Sequence, residues 1–480
     1  MENSLNLQPA NVFYYFEQLA KIPHGSGDTK AISDYCVNFA KERGYEVHQD
    51  EYNDVIIIRE AAKGYENAEP IIIQGHLDMV CEKEADCNID FEKDGLDLYV
   101  DGEFLKAKGT TLGGDDGIAV AYGLALLAEE DLQAPRLEMI FTVDEETTMY
   151  GAQMIDLSPI KGHIVLNIDG EEEGEFLTSS AGGAELAITL PVKREEMSGT
   201  VLEVEVAGLY GGHSGAEIHK ERANASKLMG RILKNLSDNM NVGLAHIEGG
   251  TKPNAITRAS KAVIVVEDEK AATAIINDFA AILKNEYRTA DAGLTVNVTK
   301  LEDTCKNVIN ETGLAKVLFL LREVPHGVMA NSVEIDNLVE TSINLGMSEL
   351  HDDEYYMYVS IRSSVSSRKE ELVDRVTFLG EFLGASVEKT DDYPAWEYNP
   401  NSEVVGKIAK VYEDLFGKKP EIKAIHAGLE CGYLDAKIDG LDAVSFGPDI
   451  HDVHTPQEHM NIASAGRIWT LLLEFLKNWK

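Results

Sequence analysis

The chain has 480 residues, 44% of them hydrophobic and only 13 of them proline, a balance that fits a globular protein of two or three domains and excludes a disordered one. Lysine and arginine number 43 against 83 aspartates and glutamates, a net charge of −40, which repels nucleic-acid phosphates and anionic lipid surfaces and argues against both as partners. The five cysteines (Cys36, Cys81, Cys87, Cys305, Cys431) form no Cys-x-x-Cys pair, and no apolar run approaches the about 18–20 residues of a membrane span, so a cytoplasmic protein with reduced thiols is expected.

Pro9 opens a helix in which Val12, Phe13, Phe16 and Leu19 recur at helical spacing, and Pro23-His24-Gly25 ends it. A second helix over residues 29–43 leads through Gly44 to two strands near 45–48 and 55–59. Residues 71–80 then read Ile-Ile-Ile-Gln-Gly-His-Leu-Asp-Met-Val. Three β-branched residues followed by Gln-Gly describe a buried strand running out into a loop, with His76 and Asp78 at its end. Extended backbone turns residues two apart to the same side, so imidazole and carboxylate face one pocket. A carboxylate so placed can hold an imidazole in the tautomer a metal needs.

Residues 109–128 carry glycines at 113, 114 and 117 and then an Ala/Leu-rich helix, apolar nearly all round and hence buried. Asp115 and Asp116 stand at its mouth. An N-cap accounts for one acid, but two beside a buried helix are costly unless something cationic meets them. The strand at 137–143 ends in Asp144-Glu145-Glu146, and the strand at 164–168 ends in Asp169, Gly170 and three glutamates. Three apolar strands thus deliver carboxylates or imidazole just beyond their carboxyl ends, the edge where open α/β sheets bind ligands. Like charges gathered there raise one another's pKa, and a divalent ion neutralises them.

From about residue 186 the texture changes to an α+β pattern without acids at its strand ends: strands at 200–206 and 261–267, helices at 220–234 and 271–287. A related pattern returns in a helix at 315–322, strands at 339–347 and 355–362 and a helix at 368–383, a candidate duplication. The α/β texture resumes with a helix at 403–416, strands near 421–425 and 444–446, the run His451-Asp452-Val453-His454-Thr455-Pro456 and a closing helix at 462–477. The expected architecture is an α/β catalytic domain, a mixed sheet with helices on both faces, over residues 1–184 and 396–480. An α+β lid over 185–395 interrupts it.

Several motifs together resemble the M20 metallopeptidase family: Gln74-Gly75-His76-Leu77-Asp78-Met79-Val80, Gly113-Gly114-Asp115-Asp116-Gly117, Glu145-Glu146, Asn167-Ile168-Asp169, Gly211-Gly212-His213-Ser214-Gly215 and the late His454. More narrowly the chain is similar to the aminoacyl-histidine dipeptidase branch, on Glu171-Glu172-Glu173-Gly174-Glu175, Tyr393-Pro394-Ala395-Trp396 and His426-Ala427-Gly428-Leu429-Glu430-Cys431-Gly432. The likeness spans essentially the whole chain, in order.

The resemblance implies two zinc ions per chain, with cobalt or manganese as substitutes: His76 and Asp169 on one, Glu146 and His454 on the other, Asp115 bridging. Five protein ligands with one shared, plus a water, give each ion four partners, and ligation without thiolate suits a catalytic site. It also implies Asp78 as the orienter of His76, Glu145 as general base, and His213 as a donor to the scissile carbonyl, brought to the metals by lid closure. Asn254 and Arg362 are implied as the clamp on the substrate's polar groups, with Gly428 and its neighbours lining the specificity pocket. His219, His326, His351, His451 and His459 are read as structural or surface residues, the Thr-Pro after His454 deciding between it and His451. The implied substrates are unblocked dipeptides, Xaa-His and β-alanyl-histidine among them. An N-acyl amino acid deacylase or tripeptidase of the same family, and a non-catalytic metal-binding scaffold, are the alternatives, and monomer and homodimer stay open. Asp116 and the acidic stretch 449–452 depart from the branch's usual pattern and leave fine specificity open.

Overall fold

The computed structural model describes residues 3–480. The chain divides into two compact units. One runs to Ser180 and resumes over Tyr398–Ala424 and Leu429–Lys480, and the other comprises Ala181–Glu397 with Ile425–Gly428.

The first unit is built on an eight-stranded sheet in the order Glu46–Gln49, Val55–Arg59, Leu137–Thr142, Ile71–His76, Ile164–Asn167, Asp442–Ser445, Glu175–Ser180, Glu421–Ile425. Its four central strands are parallel, with Ile71 opposite Leu137 and Ile164, and Ile164 opposite Asp442. All four are buried along their whole length, which is why they read as continuous apolar runs rather than as alternation. The flanking strands are antiparallel where pairing is defined, so the sheet is mixed. Helix Gly114–Ala128 is buried on nearly every side, as its Ala/Leu composition requires. Helices Ala10–Leu19, Lys30–Arg43, Glu403–Phe416 and Ile462–Asn478 contribute one apolar face each to the same core. Parallel strands share a direction, so the segments following residues 76, 142, 167 and 445 all leave from one edge.

A small four-stranded sheet joins the hairpin Leu98–Asp101 and Phe104–Ala107 to Ile450–His451 and His459–Asn461. This hairpin is absent from the expected elements, although its two-residue loop Gly102-Glu103 opens with glycine at φ +62°, the position where a tight hairpin turn favours it. His454 lies in the loop between the last two of these strands.

The second unit repeats one pattern twice. Strands Thr200–Ala207, Val242–Gly249, Ser260–Val266 and Thr295–Lys300, with helices Ala225–Ser237 and Glu269–Glu286, form a βαββαβ half whose strands lie in the spatial order four-one-three-two. Strands Gly182–Pro191, Val339–Leu350, Glu354–Ser363 and Ser386–Tyr393, with helices Glu311–Glu323 and Ser366–Phe382, give the same order read from the opposite edge. The halves join where Glu248 and Gly249 pair with Glu349 and Ser348. The first of these helices begins after Asn224, whose side chain accepts from the Ser226 and Lys227 amides, rather than at Lys220: the cap overrides the charged run before it.

Gly75 shows how tightly the central strand packs. A Cβ there would lie 2.4 Å from Ala119 Cβ and 2.5 Å from Asp116 Oδ2. Gly75→Ala is expected to lower stability by about 1–3 kcal/mol through overpacking, read as a fall in the midpoint of thermal or urea unfolding.

Candidate metal centre

The carboxyl edge of the parallel strands gathers His76, Asp115, Glu145, Glu146, Asp169 and His454. Asp115 lies between the two imidazoles, with Oδ1 3.1 Å from His76 Nε2 and Oδ2 3.1 Å from His454 Nε2. His76 Nε2 is also 3.6 Å from Asp169 Oδ1, and His454 Nε2 is 3.0 Å from Glu146 Oε2. Glu145 Oε2 stands 4.0 Å from His76 Nε2. The side chain of His76 is 1% exposed and that of His454 48%, so one imidazole is sealed and the other borders solvent.

The surroundings fix these donors. His76 Nδ1 lies 2.9 Å from the Asp78 carbonyl oxygen and 3.6 Å from its carboxylate. With Nδ1–H donating to that carbonyl, the Nε2 lone pair is left for the cluster. Asp78 thus meets Nδ1 chiefly through its main chain, with its carboxylate just beyond. The carboxylate also accepts the Glu145 amide at 3.1 Å, the Glu146 amide at 3.4 Å and the Ser26 hydroxyl at 2.8 Å. It pins the turn that carries the two glutamates. Asp116, joined to Asp115 by a cis peptide bond, accepts the His76 amide at 3.2 Å. Burial, with Asp169 adding to it, pushes its carboxyl well above the usual range.

Two further buried acids brace the site; Glu430 stands in one of the motifs quoted above without a role there, and Glu458 in none. Glu430, fully buried, accepts from Gln74 Nε2 at 2.5 Å and Thr142 Oγ1 at 2.7 Å, and Gln74 in turn accepts from Asn167 Nδ2. One polar chain thus ties together three of the parallel strands. Glu458 accepts backbone amides from the Asp115 turn. Charge alone gives no sign of either residue, since both look like ordinary glutamates at the start of an amphipathic or loop stretch. Asp449 and Asp452 point elsewhere, Asp449 accepting the Glu173 amide and Asp452 lying 3.7 Å from His459.

The electrostatics call for positive charge. Burial opposes a cation on His76, yet its bonds to Asp115, Asp169 and Asp78 hold its pKa well above the ordinary imidazole value. Asp115 and Glu146 push His454 up to about 11. Burial raises the Asp169 carboxyl to about 6 against the pull of His76, and drives Glu145 up as well.

These donors fit divalent ions. Three groups among the described residues could hold one: His76, Asp116 and Asp169; His76, Glu145 and Glu146; Asp115, Glu146 and His454. The donor separations of 3.0–3.6 Å match the edge, about 3.3–3.5 Å, of a tetrahedron with metal–ligand bonds near 2.1 Å. Glu146 Oε1 is buried without a hydrogen-bond partner. The set is imidazole and carboxylate with no thiolate, the composition of catalytic rather than structural zinc sites.

The residues expected to meet substrate lie in the second unit. His213 pairs with Ala255 in a two-residue ladder, and its Nδ1 accepts from the Gly215 and Ala216 amides at 3.2 and 3.3 Å. The neutral ring therefore carries its proton on Nε2. Burial and the Arg362 charge both lower its pKa, which favours that neutral form. The Asn254 carbonyl accepts the Ser214 amide. Arg362 Nη1 donates to the Tyr393 hydroxyl at 2.9 Å, while its Nε is buried without a partner. Gly428 closes the short segment 425–428 that belongs to this unit.

A family profile described as peptidase family M20/M25/M40 matches residues 72–478. The chain belongs to the M20 peptidase family. This M20 chain is 37% identical to the cytosol non-specific dipeptidase of Escherichia coli (strain K12) over 481 aligned positions, 99% of each chain. It matches the crystal structure of aminoacylhistidine dipeptidase from Vibrio alginolyticus with a TM-score of 0.93 and 33% identity, over 99% of this chain and 97% of that one. Aminopeptidase PepT from Bacillus cereus, 13% identical with a TM-score of 0.57 over 98% of both chains, shares the fold. Among the described residues no helix is long and apolar enough to cross a membrane.

Zinc added to chelator-stripped protein is expected to raise the unfolding midpoint, since a ligand held only by the native state contributes about 2.7 kcal/mol at a hundred times its Kd. His76→Ala and His454→Ala should each lose most of that shift in the same melting experiment.

Proposed function

We propose that the chain is a cytosolic dinuclear zinc dipeptidase acting on unblocked dipeptides, with Xaa-His, including β-alanyl-histidine, as the favoured class. The observation that carries this reading is the Asp115 carboxylate, which offers one oxygen to each imidazole at the same 3.1 Å, the disposition of a bridge between two ions. His76 and Asp169 would hold one ion and Glu146 and His454 the other, and the same donors would accept cobalt or manganese.

Bound divalent ions supply Lewis-acid polarisation and acidify water. Glu145 takes the proton from the attacking water and returns it to the leaving amine. Its backbone amide is held by Asp78, so the base and the neighbouring ligand Glu146 keep a fixed spacing. His213, protonated on Nε2, donates to the carbonyl oxygen as negative charge develops there. The Arg362 fork suits the terminal carboxylate of a dipeptide, with Asn254 and the backbone around Gly428 completing the recognition of its polar ends.

The relatives' names support the reaction class and differ on breadth: one is described as non-specific, the other as an aminoacylhistidine dipeptidase. An M20 deacylase or tripeptidase would share these ligands, and a non-catalytic scaffold would have no use for Glu145 beside them. A panel of Xaa-His dipeptides, dipeptides without histidine, tripeptides and N-acyl amino acids, assayed with zinc, cobalt and manganese, separates these readings. Free dipeptides should be cleaved with Xaa-His foremost, whereas preferential cleavage of N-acyl amino acids would assign a deacylase. Glu145→Ala should retain both equivalents of zinc while kcat falls about 10²–10⁴-fold, and near-normal turnover would refute Glu145 as base. His213→Ala should lower kcat about 10²–10³-fold at unchanged metal content.

A further inference from the structure

The chain leading into the buried helix is a turn, its backbone still non-helical at Asp115 (φ −82°, ψ 107°) and Asp116 (φ −117°, ψ 30°). Gly113 opens that turn at φ +65°. A Cβ on Gly113 would lie 2.9 Å from Met79 Sδ, so a residue with a side chain has neither the room nor the favoured backbone there. The amides of the turn are met by Glu458, more than three hundred residues away in sequence and 3% exposed. Its Oε2 accepts the Leu112 amide at 2.7 Å and the Gly113 amide at 3.2 Å, and its Oε1 accepts the Gly114 amide at 2.8 Å and the Asp115 amide at 3.4 Å.

Glu458 stands four residues beyond His454 in the same loop. The other end of that loop is also fastened. Asp449 Oδ1 accepts the Glu173 amide at 2.7 Å and the Ile450 amide donates to the Glu171 carbonyl at 2.9 Å, both in the segment that follows Asp169. The stretch 449–458 is therefore moored at one end to the Asp169 segment and at the other to the Asp115 turn, with His454 between. His454 itself sits at φ +60° and Asp452 at φ +52°, left-handed conformations that a non-glycine residue keeps only where its surroundings impose them.

We infer that Glu458 is a positioning residue for the metal pair: one carboxylate couples the turn bearing the bridging Asp115 to the loop bearing His454, and so sets where the second ion is held. The inference rests on the dinuclear reading above. It differs from a purely structural anchor of the turn, which would stabilise the fold without changing the affinity for either ion. Glutamine at 458 keeps the size of the side chain but replaces one acceptor oxygen with an NH₂ donor, so at most one side of the four-amide cradle stays satisfied.

The test is zinc titration of the full chain, stripped and then reloaded against a competing chelator, for wild type, Glu458→Gln and Glu458→Asp, with unfolding midpoints of the metal-free proteins measured alongside. Wild type should take up two equivalents. Glu458→Gln should bind the second about 10–100-fold more weakly, the size of effect seen when residues supporting metal ligands are removed. Glu458→Asp keeps the charge and should fall between the two, and it serves as the probe if the glutamine variant folds poorly. Two equivalents bound by the variants with wild-type affinity, together with a lowered metal-free midpoint, would make Glu458 a structural anchor of the turn only and overturn the inference. Failure of wild type to take up a second equivalent would instead overturn the dinuclear reading itself.

Discussion

Mutual repulsion among carboxylates is the constraint around which the first unit is arranged. Two like unit charges 4 Å apart repel by about 4 kcal/mol at an effective dielectric of 20, and Asp115, Glu145, Glu146 and Asp169 share one edge of a buried sheet with only two imidazoles between them. Side-chain contacts alone would let such groups spread apart. The backbone is fastened instead. Asp78 grips the Glu145 and Glu146 amides, Glu458 grips the amides leading to Asp115, and Asp116 holds the His76 amide. The anchors are themselves acids, but each faces N–H groups, so the anionic framework is satisfied by main-chain dipoles while the cluster itself is left short of positive charge.

This explains which parts of the site were legible in the amino-acid sequence. His76, Glu145, Glu146 and Asp169 stand at or just beyond the ends of apolar strands and Asp115 at the mouth of a buried helix, where a charged residue has no packing reason to be, so they stand out against their surroundings. His454 did not follow directly from a strand, and only the Thr-Pro after it separated it from His451. The supporting residues were illegible for the opposite reason. Glu458 and Glu430 act through partners hundreds of positions away, and no local pattern distinguishes a glutamate that will accept buried amides from one that will face water. Asp78 is legible beside His76, and its carboxylate lies 3.6 Å from Nδ1, but the shorter contact, 2.9 Å, is to its carbonyl, since the strand stops at His76.

The fold was legible in a similarly uneven way. The parallel strands and the large helices carry continuous apolar or 3.6-period patterns, and their positions agree with expectation to within a few residues. The overlooked strands, such as Arg194–Ser198, Thr295–Lys300 and Ser386–Tyr393, are mostly polar and at most half-buried. Backbone pairing with a neighbour, rather than burial, makes them strands, and composition does not report pairing. The repeated four-one-three-two order of the second unit is likewise a property of topology: two halves can share a path through space with no residue-level similarity left between them.

The chain order of the first unit also shapes how the protein is made. The unit is interrupted after Ser180 and resumed only at Tyr398, so the ribosome releases His76, Asp115, Glu145, Glu146 and Asp169 long before His454 and Glu458 exist. At about 5–20 residues per second, the interval runs to roughly 15–60 s. During that time the nascent polypeptide carries five of the six cluster residues and none of the strap that brings the sixth, so the second imidazole reaches Asp115 only when translation is nearly finished.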